Sequence, residues 1–406
     1  MKELWLFTAR FPHGTGEPFL ENELPVLARR FRRIVIVPQL ADVQGERPLP
    51  ANVAVHPAMP DPMARMAPLD LLRYARVWRR ALDLVRGSVP EQGVWRSQGA
   101  TVRARLRQSL RRALHYRSTL FADFDPDRVL LYSYWTSDQA TALAFLQMLD
   151  PRVHFVSRMH GFDLFAERSP DGWPPMRELH LTTVERVFVV SQAGLDYLRG
   201  HYPTHADKFE LARLGTRDNG AGPWSPSDVL RIVSCSNLVP LKRVDLLLRA
   251  LMQVGRPVQW THFGGGPEID GLIAMAAALP EHVRAGLMGP CPNSEVIAWY
   301  REHPVDLFVH LSASEGGVPV ALQEAASFGI PLLAVDAGGV REIVGPLTGT
   351  LLSADPTPEA IAAALDAHRN GPHDTMAFRD QVRTVWSAGF RAEVNFGHFC
   401  DRLLGT

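Results

Sequence analysis

The sequence predicts an α/β protein of two domains, each built on a parallel sheet covered by helices on both faces. Three observations predict it. The chain has 406 residues, more than one hydrophobic core usually serves, so two domains of roughly 150 to 220 residues are expected. Short apolar runs recur along it with helical patterns between them. The runs fall into two groups, divided by "GTRDNGAGPWSPSD" at 215–228, whose Gly, Pro, Asn and Ser content reads as a linker.

The first group comprises "LWLFTA", "RIVIVP", "RVLLYSY", "VHFVSR" and "RVFVVS". The second comprises "LRIVSCS", "VQWTHFG", "VDLFVHLS" and "IPLLAVD". Strands spaced by crossover helices specify parallel pairing. After "RIVSCS" comes a loop, then a helix whose Val244, Leu247, Leu248 and Leu251 share one stripe. The next repeat turns through Gly264, Gly265 and Gly266, and the one after it through Glu315, Gly316 and Gly317. Ligands of open parallel sheets bind beyond the carboxyl ends of the strands, where these loops collect.

Composition narrows the function class. Apolar residues make up 46% and charged residues 21%, as in folded globular proteins. Basic and acidic residues balance at 43 each, so no overall field recommends a nucleic acid partner. Cys235, Cys291 and Cys400 have no paired spacing, which points to free thiols and not to disulfides or zinc. The apolar run before Arg10 is too short for a signal peptide, and no stretch of about 18 apolar residues occurs. A cytoplasmic location is expected.

The segment "SEGGVPVALQEAASFGIPLLAVDAGGVREIV" carries two acids around a glycine turn and a helix start. Pro319 suits the first helical position. Glycines admit close backbone approach, and free amides at a helix start favour phosphate oxygens. Glu324, one to two turns into that helix, can accept from a vicinal diol such as a ribose, and Glu315 can accept from sugar hydroxyls. The plain alternative is a first-turn acid serving the helix dipole behind an ordinary turn.

This segment resembles the nucleotide-sugar motif of family 4 retaining glycosyltransferases. "GTGEPFLENELPVL", "SRMHGFDLF", "SNLVPLKRVDLLLRAL", "FGGGPE" and "HPVDLFVHLSASEGG" resemble further motifs of that family, in its order. The likeness spans most of the chain but not the segment from Asp61 to Ser118. It implies the GT-B fold, in which two Rossmann-like doubly wound domains with parallel sheets face each other across a cleft. On that basis the first domain covers residues 1–218 and is rejoined by a C-terminal helix at 385–406. The second, binding the nucleotide sugar, covers 223–384.

By the same resemblance Glu315 contacts the donor sugar and Glu324 the ribose, although eight residues separate them here where seven are usual. Gly316, Gly317 and Val318 form the intervening loop. Lys242 matches a lysine on the donor diphosphate, whereas Asn237 stands where an arginine is usual. A neutral amide cannot replace that charge, so Arg243 or an arginine of the other domain would have to compensate. His160 corresponds to a histidine that reaches the donor sugar from the first domain. Asp163 either orients it or caps a helix, and is also a candidate acceptor contact. Gly14, Thr15 and Gly16 resemble the first loop against the diphosphate and acceptor, with Glu17 toward the acceptor and Glu21 and Glu23 as helix-face acids. Gly264 and Pro290 are expected in turns beside the nucleoside.

The expected function is transfer of a sugar from a nucleoside diphosphate donor to a saccharide or lipid-linked acceptor, with retention. Glu315, His160 and Lys242 would be the catalytic residues. Lys242 and the loop amides would stabilise the departing diphosphate, and the leaving phosphate would help take the acceptor's proton. Two alternatives stay open: a nucleotide-sugar epimerase of the same fold, and a binding protein without catalysis. No cofactor or bound metal is expected, since the family needs none and the Asp123, Asp125, Asp127 run precedes a strand instead of following one.

Between Asp61 and Ser118 there are 13 Arg and no Lys against four acids. Within it Leu106, Leu110 and Leu114 recur every fourth residue, flanked by arginines. Such a helix either lies against anionic lipid at the inner membrane face or packs on the core with a solvated basic side.

Overall fold

The computed structural model describes every residue except 1, 15, 42–44, 46, 60–71, 123, 370 and 406. The chain divides into two compact units. One comprises Met1–Ala212 with Phe396–Thr406, the other Arg213–Asn395.

The first unit is built on β1 (Glu3–Thr8), α1 (Leu20–Arg30), β2 (Arg33–Pro38), β3 (Val53–Val55), α2 (Ala75–Gly87) and α3 (Gln92–Thr119). It continues through β4 (Val129–Ser133), α4 (Asp138–Leu149), β5 (Phe155–Met159), α5 (Arg177–Thr183), β6 (Arg186–Val189), α6 (Gln192–His201) and β7 (Phe209–Leu211). Its strands form one parallel sheet in the order β3-β2-β1-β4-β5-β6-β7. β1 lies between β2 and β4, with Leu6 opposite both Ile36 and Tyr132. Leu4, Leu6, Ile34 and Ile36 are fully buried, as residues of a sheet covered on both faces must be.

The second unit comprises β8 (Leu230–Cys235), α7 (Val244–Leu251), β9 (Val258–Phe263), α8 (Ile269–Ala277), β10 (Val283–Leu287), α9 (Asn293–Glu302) and β11 (Leu307–His310). After these come α10 (Val320–Ser327), β12 (Leu332–Val335), β13 (Gly349–Leu352), α11 (Pro358–His368) and α12 (Met376–Gly389). The sheet order is β10-β9-β8-β11-β12-β13. Successive residues feed opposite faces, as the strand period of two requires. Ile232, Leu307, Val309, Leu333 and Val335 pack in one core, and Val233, Phe308, Leu332 and Ala334 in the other. The α7 stripe Val244, Leu247, Leu248 and Leu251 is buried in the first of these.

In both parallel sheets the strand order reverses between the first and fourth strands in sequence, β1/β4 and β8/β11. Each therefore has a switch point, and the loops leaving those strands diverge to open a ligand crevice.

Two expectations change, and of the two readings of the α3 leucines the structure takes the packing one. Residues 215–228, read as a linker, belong to the second unit, and the segment starts pinned: Thr216 N donates to Phe390 O at 2.9 Å, and its carbonyl accepts from Ala392 N at 3.0 Å. Residue 385, where the return to the first domain was expected, lies inside α12 of the second unit. The first unit regains the chain at Phe396, within α13 (Ala392–Leu404). Finally, Leu106 and Leu110 of α3 are fully buried and Leu114 half-buried against the same core. That stripe is committed to folding and leaves arginines, among them Arg105, Arg107 and Arg117, as the exposed side. The part of the basic segment at 61–71 lies outside the described residues. Among the described residues no helix is long and apolar enough to cross a membrane.

Candidate functional site

At the switch point of the second sheet, the end of β11 and the loops after β8 and β11 bring together three side chains. Lys242 Nζ lies 2.5 Å from Glu315 Oε1, and His310 Nε2 lies 2.9 Å from the same oxygen. Burial alone would raise the Glu315 carboxyl, but the His310 hydrogen bond and the charges of His310 and Lys242 outweigh it and hold it at about 2. His310 was missed in the sequence because it ends an apolar strand. Its signal is a polar residue five before Glu315, at the carboxyl end of β11.

The loop carrying Lys242 is braced from below. Leu238 is fully buried, and its N–H donates to Gly265 O at 2.9 Å. His262 on β9 bonds Ser234 Oγ through Nδ1 at 2.8 Å and Ser236 O through Nε2 at 3.1 Å. Burial pushes its imidazole down to about 4, so it stays neutral and structural. Gly264 adopts φ 136°, and a Cβ there would lie 1.9 Å from Ser236 O. Only glycine fits such a backbone contact. Pro290 packs over Gly265. Gly264 and Pro290 thus shape the neighbouring turns. Asn237 is exposed near the start of this loop. Arg243, the candidate to supply the missing cation, is directed elsewhere: Nε donates to Leu311 O at 2.8 Å and Nη1 lies 3.2 Å from Asp355 Oδ1.

Beyond Glu315, residues Gly316, Gly317 and Val318 lead to Pro319, which caps α10 from just outside instead of occupying its first turn. Gly338, after β12, has φ 54°, and a Cβ there would lie 1.9 Å from Glu315 O. A Cβ on Gly339 would lie 2.7 Å from Gly317 C. The two loops therefore touch backbone to backbone. Glu324 sits in the second turn of α10, buried, its Oε1 accepting from Asn293 Nδ2 at 2.9 Å. Burial raises its carboxyl to about 7, with the Asn293 amide opposing.

The first unit holds a second cluster at its own switch point. Glu17, with φ 55°, turns its carboxylate back into the loop after β1. It accepts from the N–H groups of Ala9 (2.9 Å), Arg10 (2.8 Å) and Phe11 (2.7 Å), and from Trp135 Nε1 (2.7 Å). The side chain read as facing the acceptor is thus enclosed by donors of its own unit. Arg47 Nη2 fastens the same loop at Gly14 O (2.9 Å) and Gly16 O (2.5 Å). Thr15 lies outside the described residues. Glu21 is exposed, as a helix-face acid should be, but Glu23 is fully buried and paired with Arg158 of β5 at 2.6 Å. An arginine inside the apolar strand "FVSRM" was the available signal.

Asp163 does not cap a helix. Its Oδ1 accepts from His160 N at 2.8 Å and its Oδ2 from Thr136 N at 2.9 Å, tying the loop after β5 to that after β4. Burial raises it to about 6 against those amide bonds. His160 is 7% exposed, and neither ring nitrogen has a hydrogen-bond partner among the described residues. Burial, then the charge of Arg158, hold its imidazole well below the usual histidine range. A buried polar ring without a partner is unfavourable unless a ligand completes it. Asp125 belongs to a turn, its Oδ1 accepting from Asp127 N at 3.0 Å; Asp123 lies outside the described residues. Cys400 is buried, Cys235 and Cys291 are half-buried, and all three are free.

Comparison with known proteins places this geometry. Residues 223–384 match the family model of glycosyl transferases group 1. The amylovoran biosynthesis glycosyltransferase AmsK of Erwinia amylovora is 29% identical over 185 residues, 43% of each chain. A GDP-mannose-dependent alpha-mannosyltransferase of Corynebacterium glutamicum is 26% identical over 291 residues, 67% of each. The match therefore spans less than half the length of AmsK and about two thirds of the mannosyltransferase. Anabaena Alr3699/HepE, solved in complex with UDP, superposes with a TM-score of 0.66 at 16% identity over 100% of both chains, which speaks to the fold. Residues 223–384 therefore match a group 1 glycosyl transferase domain, and the fold of the chain is of the GT-B type.

Proposed function

We propose that the protein transfers a sugar from a nucleoside diphosphate sugar to a saccharide or lipid-linked acceptor, with retention of anomeric configuration. The observation that carries this reading is the Lys242–Glu315–His310 cluster at the switch point of the second sheet. A cation and an anion side by side there suit a ligand that is itself anionic at one end and rich in hydroxyls at the other. Lys242 turns to the diphosphate and offsets the charge that grows as the nucleoside diphosphate departs. The amides of the Gly316–Val318 loop and the start of α10 accept further phosphate oxygens. Glu315 is freed to accept from donor-sugar hydroxyls, and Glu324 accepts from the ribose. His160 bonds a sugar hydroxyl.

Several points support the reading. The family model covers the domain that holds Lys242, Glu315 and Glu324, and the mannosyltransferase relative is named for its dependence on a nucleotide sugar. Nothing in the proposed steps calls for a metal. The exposed arginines of α3 would attract an anionic surface or a lipid-linked acceptor by charge alone.

The test is release of nucleoside diphosphate from a panel of UDP- and GDP-sugars, with and without mono- and disaccharide or polyprenyl-phosphate acceptors. Acceptor-dependent release with retained configuration is the expected result. Donor consumed without acceptor to give an epimeric sugar nucleotide would replace the transferase reading by an epimerase. Binding without turnover would remove catalysis.

A further inference from the structure

Phe162 has no partner role in the steps above, yet it is the most exposed side chain of an otherwise well-packed loop, with 55% of its surface accessible. It is not a stray apolar residue. Its ring centroid lies 4.9 Å from that of Trp135 at 45°, and Trp135 lies 4.2 Å from the ring of His160. Three rings from the loops after β4 and β5 thus stand side by side at the first unit's switch point.

The group is rigidly backed. Glu17 Oε1 holds Trp135 Nε1 at 2.7 Å, and Ser133 Oγ holds Trp135 O at 2.7 Å. The Asp163 carboxylate ties the backbone next to Trp135 to that of His160, two residues from Phe162. Scattered exposed aromatics are common on protein surfaces. Here, however, the exposed ring packs on Trp135, which itself packs on an imidazole that is buried with neither nitrogen bonded, so an apolar face and an unmet hydrogen-bonding edge lie one ring apart.

A ligand that answers both needs has an apolar face of C–H groups and a rim of hydroxyls. We propose that Phe162 and Trp135 form a stacking subsite for a pyranose ring, one hydroxyl of which bonds His160. The C–H bonds of one sugar face carry partial positive charge and meet the negative faces of the aromatic rings. The neutral imidazole then donates to or accepts from the hydroxyl at the ring's edge. The proposal rests on the transferase reading and deepens it, since the ring belongs either to the acceptor or to the sugar of the donor.

Saturation-transfer NMR on the full chain separates these cases. The acceptor arm uses methyl α-D-mannopyranoside, methyl α-D-glucopyranoside and methyl α-D-galactopyranoside; the donor arm uses UDP-glucose and GDP-mannose. At least one probe is expected to receive saturation at its pyranose C–H protons. Phe162→Ala should reduce that signal by about fivefold, the effect of one lost stacking contact, and Phe162→Tyr should retain it. Because Phe162 is exposed, the variant should keep the wild-type Tm. Equal pyranose signals in wild type and Phe162→Ala for every probe, or none in wild type, overturn the subsite. So does a loss at base protons in place of sugar protons. UDP and GDP alone, titrated into both proteins, report the second unit independently. Nucleotide binding without Phe162-dependent sugar contact leaves the transferase reading standing and the subsite refuted, and the reverse pattern does the opposite.

Discussion

Glu315 Oε1 is shared: Lys242 Nζ approaches it to 2.5 Å and His310 Nε2 to 2.9 Å. If Lys242 turns to a diphosphate, the carboxylate, 14% exposed, keeps His310 as a nitrogen donor. His310 then decides whether Glu315 keeps its orientation in the donor complex. His310→Leu removes the donor and should lower kcat by about tenfold, the value of one charge-assisted hydrogen bond, with a smaller effect on donor KM. His310→Gln, which can still donate, should recover most of it. Steady-state kinetics with the active donor checks both variants.

Lys242 carries a larger share. Lys242→Met removes the cation beside the departing phosphate and should cost about 100-fold or more in kcat, as loss of a transition-state donor does. Asn237 offers no charge in its place, and the Arg243 guanidinium is held by Leu311 O and Asp355. Lys242→Arg should recover part of the rate, because charge is restored without the point geometry of an ammonium. A wild-type rate in Lys242→Met would remove the diphosphate role.

The two acids of the motif titrate in opposite senses. Glu315 is held at about 2, below its ordinary 4.5, by His310 and Lys242 against the opposing effect of burial. Its ionised form is therefore favoured in the native state. That stabilisation is complete above about pH 4.5 and is lost as the pH falls toward 2. Glu315→Gln should destabilise the second unit at pH 7 by on the order of 3 kcal/mol, with the difference closing between pH 4.5 and 2. Denaturant melts at pH 7, 4 and 3 measure it.

Glu324 behaves inversely. Burial raises it to about 7, so the native state retains a proton that the unfolded chain releases near 4.5. Stability falls as the pH rises through that window, and the cost is complete above pH 7. Glu324→Gln should match wild type at pH 4.5 and exceed it at pH 8 by up to about 3 kcal/mol. In the proposed function it should also weaken UDP or GDP binding by about tenfold or more, through loss of the carboxylate that accepts from the ribose. A stability gain with undiminished nucleotide affinity would make Glu324 structural. A stability gain coupled to weaker nucleotide binding is the behaviour expected of a residue whose buried charge is kept for a ligand and not for the fold.

The strands were legible because their residues are buried on both faces, which leaves unbroken apolar runs such as "RIVIVP". The α7 stripe was legible through its period. Glu315, Lys242 and Glu324 could be named as candidates from motif order, since loops at strand ends collect ligand contacts whatever the rest of the chain does. What a linear reading cannot supply is a partner distant in sequence. Glu17 meets Trp135 across 118 positions and Glu23 meets Arg158 across 135, so one acid became a loop clamp and the other a buried ion pair. The leucines of α3 left two readings open for a related reason. The same amphipathic spacing serves a lipid surface or a protein core, and α4 supplies the core.

Gly338 supplies the last prediction. It lies 23 positions beyond Glu315, and its backbone meets that of Glu315 so closely that a Cβ would stand 1.9 Å from the carbonyl oxygen. No rotamer relieves a contact of backbone with Cβ, and φ 54° adds strain for any other residue. Gly338→Ala must therefore push the Glu315 loop away or open the turn after β12. Since β12 and its core remain buried, the displacement should fall on the loop, moving Glu315 out of reach of His310 and Lys242. The expected outcome is a fold intact by circular dichroism, a loss of activity of about 100-fold, and weakening of the pH dependence of stability assigned to Glu315 between pH 4.5 and 2. Gly345→Ala, at a nearby glycine where a Cβ meets nothing within 4 Å, should leave all three readouts unchanged. If Gly338→Ala keeps both activity and that pH dependence, the loop is more yielding than this contact implies and Glu315 is not positioned through Gly338.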